Sequence, residues 1–341
     1  MNQPSRQSHP AAAALALLAL LALALAALPA AAARPADAGP PVRFVVAGDS
    51  RGGGDGVNAP ILAEVVQATL DEHPDFVLVP GDLVNGSADP GTFRSQLSNW
   101  RNIVQPLYDA GIGVYPCRGN HDAGNRAVWN SIFSGAYALP ANGPAGEENL
   151  TYSFSRGNAF VIALDEYANT ERVNQSWLEG QLAANSLPAV FVFGHEPAFQ
   201  VWQTSNLAVH AAARDTFWSS LVAAGVRIYF AGHDHFYQHT RLDDPTGNPD
   251  SAVHQFIVGT AGAPFYAWDG SYPGDNGRWT PQPISYEANY GYVVVEVNGL
   301  NVTVTWKHRT APGTYVPGGD VLSYTLAPLP SSHAHLPVVE R

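Results

Sequence analysis

The sequence contains a single cysteine, Cys117, among 341 residues. One cysteine cannot form a disulfide within the chain, so the fold must be held by its core or by metal, and we expect Cys117 to be a small buried hydrophobic side chain. Basic residues are also few, with 17 Lys and Arg against 29 Asp and Glu and a formal net charge of -12. We find no run of basic residues, so the composition argues against duplex nucleic acid as a partner.

A long uncharged apolar run lies near the N-terminus, at residues 11–28. Arg6 precedes this run, and three alanines ending at Ala33 follow it. The pattern predicts a signal peptide over residues 1–33 and a secreted, periplasmic or extracellular protein. The run is about long enough to span a bilayer, so an uncleaved signal anchor is the alternative, and we expect no other stable membrane partner.

Beyond the signal peptide, the sequence predicts one folded domain between two irregular ends. Residues 34–41 form a Pro-rich lead-in, residues 42–326 form the domain, and residues 327–341 read as a flexible tail. His333 and His335 lie in that tail, where a solvated segment is a simpler interpretation than a metal site.

Short apolar runs alternate with segments of helical spacing, which predicts an α/β fold with largely parallel central strands. The strands are predicted at residues 42–47, 75–79, 112–117, 160–164, 189–193 and 226–231. The helices are predicted at residues 60–70, 93–107, 177–182 and 207–224, with Asn58 placed to cap the first. Later strands at 253–258, 292–297 and 302–306, with a turn at Asn298-Gly299, indicate a mixed sheet or two packed sheets.

Five of the predicted central strands end in a glycine followed by a residue type that binds metals. These endings are Gly48-Asp49, Gly81-Asp82, Gly119-Asn120-His121-Asp122, Gly194-His195 and Gly232-His233-Asp234-His235. Ligands bind at the carboxyl ends of strands in open α/β sheets, and glycine lets the backbone approach closely there.

A single such ending is weak evidence, because a lone Asp often caps a helix and a lone His is often structural. Five in this arrangement predict a metal centre. Its nitrogen and oxygen ligands suit Zn, Mn or Fe better than metals that prefer thiols.

This series of motifs resembles the calcineurin-like metallophosphoesterase superfamily, which includes the purple acid phosphatases, over about residues 43–240. The resemblance implies two mixed sheets packed face to face and flanked by helices, a four-layer α/β sandwich. It implies two divalent or trivalent metal ions bridged by Asp82. Asn120, His195 and His233 would complete one site, and Asp49 and His235 would serve the other.

The resemblance also implies hydrolysis of a small phosphorylated substrate, either a monoester or a diester. A hydroxide held by the metals would be the nucleophile. His121 would protonate the leaving oxygen as general acid, supported by Asp122 or another carboxylate. The alternative for Asp122 is a cap on the next helix.

Arg51 departs from the family pattern. The family's first motif is Asp-x-His, but position 51 is an arginine, which stays charged and has no lone pair to give. Purple acid phosphatases supply a Tyr in Gly-Asp-x-x-Tyr instead, and here that position is Asn85.

Four interpretations of Arg51 remain open. Both metals bind, with water, Asn85 or Asn58 filling the gap. Alternatively, the second site is weak and Arg51 supplies positive charge, binds phosphate oxygens and acts in catalysis. Alternatively, the site is weak or inactive and the chain is a binding module. Finally, Arg51 turns away and pairs with an acid such as Asp55.

A serine hydrolase is the competing interpretation, because Gly48-Asp49-Ser50 also resembles the GDSL-type esterases. Those enzymes need an Asp-x-x-His near the end of the chain, and Asp250 and His254 are one residue too far apart. We therefore interpret Ser50 as a turn residue.

Two long loops are predicted near the site, at residues 123–150 and 260–292. The aromatic residues of the second loop either form a wall for an aromatic, nucleotide or lipid group or pack as a small satellite core.

Overall fold

The computed structural model describes residues 40–248 and 252–327. The signal peptide predicted over residues 1–33, most of the lead-in, the tail from residue 328 and the histidines at 333 and 335 lie outside the described residues. None of the helices in the two described ranges combines the length and the apolar character that crossing a membrane requires.

The first sheet has six strands. They are β1 (Val42–Val46), β2 (Phe76–Pro80), β3 (Gly113–Cys117), β11 (Gly291–Asn298), β12 (Asn301–Ala311) and β13 (Thr314–Thr325). Their order is β13-β12-β11-β1-β2-β3, with β1, β2 and β3 parallel and the other pairings antiparallel. The predicted turn between β11 and β12 is confirmed, because Asn298 pairs with Asn301 around Gly299, whose φ is 63°.

The second sheet has seven strands. They are β4 (Tyr152–Arg156), β5 (Ala159–Ala163), β6 (Ala189–Phe193), β7 (Ile228–Ala231), β8 (Tyr237–Asp243), β9 (Val253–Val258) and β10 (Thr280–Glu287). Their order is β10-β8-β9-β7-β6-β5-β4. The neighbours β5, β6, β7 and β9 run parallel, so their carboxyl ends lie at one edge.

Five α-helices connect these strands. They are α1 (Ala59–Asp71), α2 (Pro90–Asp109), α3 (Arg126–Ile132), α4 (Gln175–Ala184) and α5 (Ala211–Ala223). Asn58 occupies the N-cap position of α1, but its side chain makes no capping hydrogen bond and donates to the carbonyl of Gly262 at 2.7 Å instead. The single helix predicted at 207–224 is a short 3₁₀ turn (Leu207–His210) followed by α5.

The core lies between the two sheets and under the helices. Phe44 of β1 stacks on Phe76 of β2, with ring centroids 4.7 Å apart, and meets the edge of Phe191 from the second sheet at 4.9 Å. Alternate residues of β2 face the helices, where Val77 packs with Leu62, Trp100 and other apolar side chains. A second apolar cluster lies between the second sheet and helices α4 and α5. The predicted α/β architecture, two packed mixed sheets flanked by helices, is therefore confirmed.

The predicted loops contain more regular structure than expected. The segment at 260–292 includes β10, an edge strand with Pro281 and Pro283, and the segment at 123–150 includes α3. Proline has no amide proton to donate to a neighbouring strand, so it is found in edge strands and not in central ones. The two prolines therefore made this edge strand resemble a loop in the sequence.

Candidate metal centre

The candidate ligands meet because strands of both sheets end at the same place. The amide of Gly48, after β1, donates to the carbonyl of Val258 at the end of β9, with N and O 3.0 Å apart. The amide of Gly232, after β7, donates to the carbonyl of His195, after β6, at 2.9 Å. The first bond joins the ends of the two sheets and the second joins neighbouring strand ends of the second sheet, so the strand-end residues face one centre.

Three of the candidate ligands have unusual backbone conformations. The φ angles of Asp49, Asp82 and His233 are 59°, 49° and 70°. A left-handed conformation costs a non-glycine residue of order 1–3 kcal/mol, and such residues cluster at functional sites. The fold therefore maintains strain at the positions whose side chains form the site.

The glycines of the motifs allow the strand ends to approach. A Cβ at Gly119 would collide with Oδ1 and the amide nitrogen of Asp82. A Cβ at Gly232 would collide with Oδ2 of Asp49. Both positions therefore require glycine, because the carboxylates of Asp82 and Asp49 leave no space for a Cβ there.

One half of the site is a convergence of lone pairs around His195. Its Nδ1 lies 2.8 Å from the carbonyl oxygen of Pro80, which only accepts, so Nδ1 donates and Nε2 carries the lone pair. That Nε2 lies 3.1 Å from Oδ1 of Asn120, 3.1 Å from Nδ1 of His233 and 3.5 Å from Oδ1 of Asp82. We call these four residues the His195 half of the site.

The His195 half fits a metal ion. With the His233 proton on Nε2, Nδ1 of His233 is an acceptor as well, and four acceptor atoms that face one another repel unless a cation lies among them. A tetrahedral ion bound at about 2.0–2.1 Å keeps its ligand atoms about 3.3 Å apart, close to the separations observed here. Ligand atoms of Asp49, Asp82 and His195 also lie within 4.8 Å of one another, so Asp49 of the other half borders this half.

Burial keeps the site histidines neutral, which is the form that binds metals. Desolvation lowers the pKa of His195 and His233 to about 3 each. Burial and then the Arg51 cation lower the pKa of His235 to about 4. Burial, followed by repulsion from Asp82, raises the pKa of Asp49, and Arg51 opposes that increase.

The other half of the site holds the Arg51 guanidinium. Nδ1 of His235 lies 2.7 Å from the carbonyl oxygen of Pro264, so its Nε2 carries the lone pair. That Nε2 is 3.4 Å from Nη2 of Arg51, and Nε of Arg51 is 3.2 Å from Oδ2 of Asp82. The Arg51 guanidinium therefore occupies the space next to Asp49 and His235. This half does not fit a metal ion as the His195 half does.

Two alternatives for this region can now be compared with the contacts. The interpretation in which Arg51 turns toward Asp55 is wrong, because Arg51 points into the site and the Asp55 carboxylate accepts from Asn99. The amides of Asn85 and Asn58 donate to the carbonyls of Gly53 and Gly262, so both hold loops.

His121 lies at the solvent side of the centre. Its side chain is 31% exposed, and its Nε2 is 3.9 Å from Oδ2 of Asp82. Nδ1 lies 2.7 Å from the carbonyl oxygen of Asn85, which fixes the ring with Nε2 toward the site. Asn120 is exposed beside it, so the site is open to solvent here.

Asp122 has a different environment from the one expected. Its Oδ2 accepts from the amides of Gly119 at 2.9 Å and Leu83 at 3.1 Å, and burial raises its pKa to about 8. The support for the His121 ring comes from the Asn85 carbonyl, and the cap of the next helix is Asn125. The contacts make Asp122 a residue that positions two motif loops, and a catalytic role for it stays a prediction.

Sequence reasoning missed two buried acids after β5, at Asp165 and Glu166. Both oxygens of Asp165 pair with Arg118, at 2.6 and 2.9 Å, and Arg118 directly precedes the Gly119 motif. Glu166 accepts from the amide of His195 at 2.9 Å. The signal was present as a further strand that ends in acids, but without a glycine it resembled an ordinary loop.

Ser50 is a buried, hydrogen-bonded residue of the segment after β1, and Cys117 is confirmed as a buried side chain. Oγ of Ser50 donates to the carbonyl of Leu83 at 2.9 Å and accepts from the indole of Trp100 at 3.0 Å. Ser50 is buried, so its hydroxyl is not available as a nucleophile. Cys117 is buried and free.

The aromatic residues of the 260–292 segment have two roles. Trp268, Tyr272 and Tyr286 pack around a small apolar cluster, as the satellite-core interpretation predicts. Tyr266 stacks on the His235 ring, with centroids 4.2 Å apart, and Trp202 stacks on Tyr266 at 5.9 Å. Trp202 is 43% exposed, so this stack leads from the site to the surface.

Fold and site together define an α/β sandwich of two sheets with a candidate nitrogen–oxygen metal centre at the strand ends. Residues 42–237 match the family model described as calcineurin-like phosphoesterase. The chain belongs to this family.

Curated relatives and solved structures are consistent with this assignment. The chain is 28% identical over 286 residues to purple acid phosphatase 18 of Arabidopsis thaliana, which covers 79% of this chain and 60% of that protein. It is 26% identical over 253 residues to tartrate-resistant acid phosphatase type 5 of Mus musculus, covering 64% and 74%. The chain thus spans less than two thirds of the plant relative's length.

Two solved structures share the fold at low sequence identity. A purple acid phosphatase from seeds of yellow lupin (Lupinus luteus) superposes with a TM-score of 0.60 at 17% identity, covering 84% of this chain and 54% of that one. A dimetal phosphatase from Danio rerio superposes with a TM-score of 0.55 at 14% identity, covering 84% and 100%.

Proposed function

We propose that this chain is a secreted, metal-dependent hydrolase of small phosphate esters. The observation that carries the proposal is the convergence of four acceptor atoms in the His195 half, with His121 beside them and open to solvent. This arrangement provides a cation site next to a proton donor, which are two requirements of phosphoester hydrolysis. Family membership supports the same reaction class.

Asp82, Asn120, His195 and His233 would hold a Zn, Mn or Fe ion. Such an ion would supply a water of lowered pKa and would neutralise charge on the phosphate oxygens. The protein's part is to fix the ligand atoms in advance. The Pro80 carbonyl orients His195, and the amide of His121 donates to Oδ1 of Asp82 at 3.0 Å.

His121 is proposed to protonate the leaving oxygen. Its Nδ1 proton is held by the Asn85 carbonyl, so a proton transferred to substrate must come from Nε2. Nε2 faces the site and lies 3.9 Å from Oδ2 of Asp82. Transfer of this proton to the leaving oxygen lets the product depart as a neutral alcohol and not as an unstable alkoxide.

Export, domain limits and substrate class are further parts of the proposal. The apolar run at 11–28 supports a cleaved signal peptide, and the compact strands and helices from Val42 to Thr325 support a single domain. The net charge of -12 disfavours duplex nucleic acid, and family membership supports small phosphorylated molecules as substrates.

The test is hydrolysis of p-nitrophenyl phosphate and bis(p-nitrophenyl) phosphate by purified protein before and after chelation. We expect chelation to abolish turnover of at least one ester and added Mn or Zn to restore it. His195→Ala should lose activity and metal. The control His210→Ala changes a partly exposed histidine whose described contact is an ion pair with Glu171.

Activity that survives complete removal of metal would contradict the proposal. Metal-loaded protein that hydrolyses neither ester would favour the alternative of a binding module on this fold.

A further inference from the structure

We propose that this chain binds one metal ion, in the His195 half, and that the Arg51 guanidinium is the permanent cation of the second half. The catalytic meaning of this inference rests on the proposed function, but the metal count does not. The inference starts from the atoms that Arg51 contacts.

Arg51 contacts two of the three residues that a second ion would need, His235 and Asp82. Nη2 donates toward the lone pair of His235 Nε2, at 3.4 Å, and Nε lies 3.2 Å from Oδ2 of Asp82. Oδ1 of the same carboxylate faces His195, at 3.5 Å. Asp82 therefore lies between one ion site and a guanidinium. In the family pattern, the aspartate at this position lies between two ion sites.

The guanidinium is fixed by its surroundings. The Arg51 amide donates to the carbonyl of Asp82 at 3.3 Å, and Arg51 forms an isolated β-bridge with Val57. The side chain is 20% exposed, so part of it faces solvent at the site. Backbone pairing at one end and two side-chain contacts at the other hold the charge beside Asp82.

Charge balance also favours a single ion. Asp49 and Asp82 are the two buried carboxylates of the pair of halves, and His235 contributes no negative charge. One divalent ion in the His195 half together with the Arg51 cation already exceeds the charge of these two carboxylates, and a second divalent ion would be repelled by a guanidinium that cannot lose its proton. Position 51 is therefore expected to exclude the ion.

The consequence for substrate is that Arg51 takes over a phosphate contact. A guanidinium binds phosphate oxygens through paired N–H groups, and it does so whether or not metal is present. This chain should therefore bind inorganic phosphate through one exchangeable ion and one fixed cation. Removal of metal should therefore reduce the affinity for phosphate less in this chain than in a chain that binds two ions.

The experiment is titration of the metal-free protein with Mn²⁺, read by metal analysis after gel filtration and by electron paramagnetic resonance. Wild type should bind about one equivalent and give the spectrum of an isolated ion. Arg51→His restores the family's Asp-x-His pattern and should bind about two equivalents, with a spin-coupled spectrum. Arg126→His, at an exposed ion pair with Glu148, is the control and should behave as wild type.

A second variant covers the case in which Arg51→His fails to fold. Arg51→Met removes the charge with similar length and should weaken binding of inorganic phosphate to the Mn-loaded protein by about tenfold or more. Unchanged phosphate affinity would overturn the phosphate role.

The outcomes separate the two proposals. Two equivalents in wild type would overturn the one-ion inference, even if both esters are hydrolysed. One equivalent in both wild type and Arg51→His would overturn the claim that Arg51 excludes the ion. One equivalent in wild type without any ester hydrolysis would leave this inference standing and defeat the proposed function.

Discussion

Nε of Arg51 lies 3.2 Å from Oδ2 of Asp82, and this ion pair divides the candidate site into two unlike halves. On one side of the carboxylate, acceptor atoms of three further residues converge around His195. On the other side, a cation of the protein itself occupies the space. The chemistry expected of the site follows from this difference.

His121 provides a test of proton donation. His121→Asn should lower kcat for an alkyl phosphate by about a hundred- to ten-thousand-fold, because an alkoxide leaves poorly without a proton. The loss should be much smaller for p-nitrophenyl phosphate, whose leaving group is stable without one. Metal content should stay at the wild-type value. Equal losses for both substrates would argue that the residue positions the substrate instead.

Gly119 provides a test of the close approach between motifs. Gly119→Ala places a Cβ against Asp82, so it should destabilise the fold by about 1–3 kcal/mol and reduce metal affinity. Gly124→Ala is the matched control, because its Cβ would meet only the Ser87 carbonyl oxygen, at 3.6 Å. Urea unfolding and metal analysis of both variants measure the effect. Similar behaviour of the two alanine variants would contradict the argument.

Loss of either partner of the buried ion pair between Arg118 and Asp165 should destabilise the domain strongly. Asp165→Ala leaves a buried guanidinium without its carboxylate and should cost about 3–5 kcal/mol in the free energy of unfolding. Glu148→Ala, which breaks the exposed pair with Arg126, should leave unfolding unchanged within error. A small effect of Asp165→Ala would mean that water replaces the carboxylate.

Glu166 should make stability depend on pH. Burial and the neighbouring Glu196 raise its pKa to about 8. The Tyr229 hydroxyl lies 2.7 Å from Oε1 of Glu166 and 2.8 Å from the Glu196 carbonyl, and a proton on Glu166 lets both contacts be hydrogen bonds.

The folded state therefore binds a proton that the unfolded state releases near its usual pKa. The resulting stability is present at low pH and is lost as pH rises toward about 8. We compare the melting temperatures of wild type and Glu166→Gln at each pH. The melting temperature of wild type should fall relative to that of the variant as pH rises from about 5 to 8. A constant difference across this range would show that Glu166 does not change its protonation.

The sequence allowed the central architecture and the candidate ligands to be predicted, because strand ends of the type Gly48-Asp49 repeat the same local pattern. It did not allow the contacts of buried acids to be predicted. Asp122 and Glu166 accept from backbone amides of distant turns, and no local spacing encodes those partners.

Strands with weak apolar patterns were also missed. In β13 most residues from Thr314 to Thr325 are at least partly exposed, so hydrophobic periodicity gave little signal. The direction of Arg51 could not be decided from sequence, because it depends on where His235 and Asp82 lie in three dimensions.

The most direct measurement is anomalous X-ray scattering at the absorption edge of the bound metal, from crystals grown with Mn²⁺ or Zn²⁺. The account predicts a peak within about 2.0–2.2 Å of His195 Nε2, His233 Nδ1, Asn120 Oδ1 and Asp82 Oδ1, with density for the Arg51 guanidinium beside His235. A second metal peak beside His235 would contradict the one-ion inference. Absence of a peak in the His195 half of metal-loaded crystals would contradict the central claim that this chain is a metal-dependent phosphoesterase.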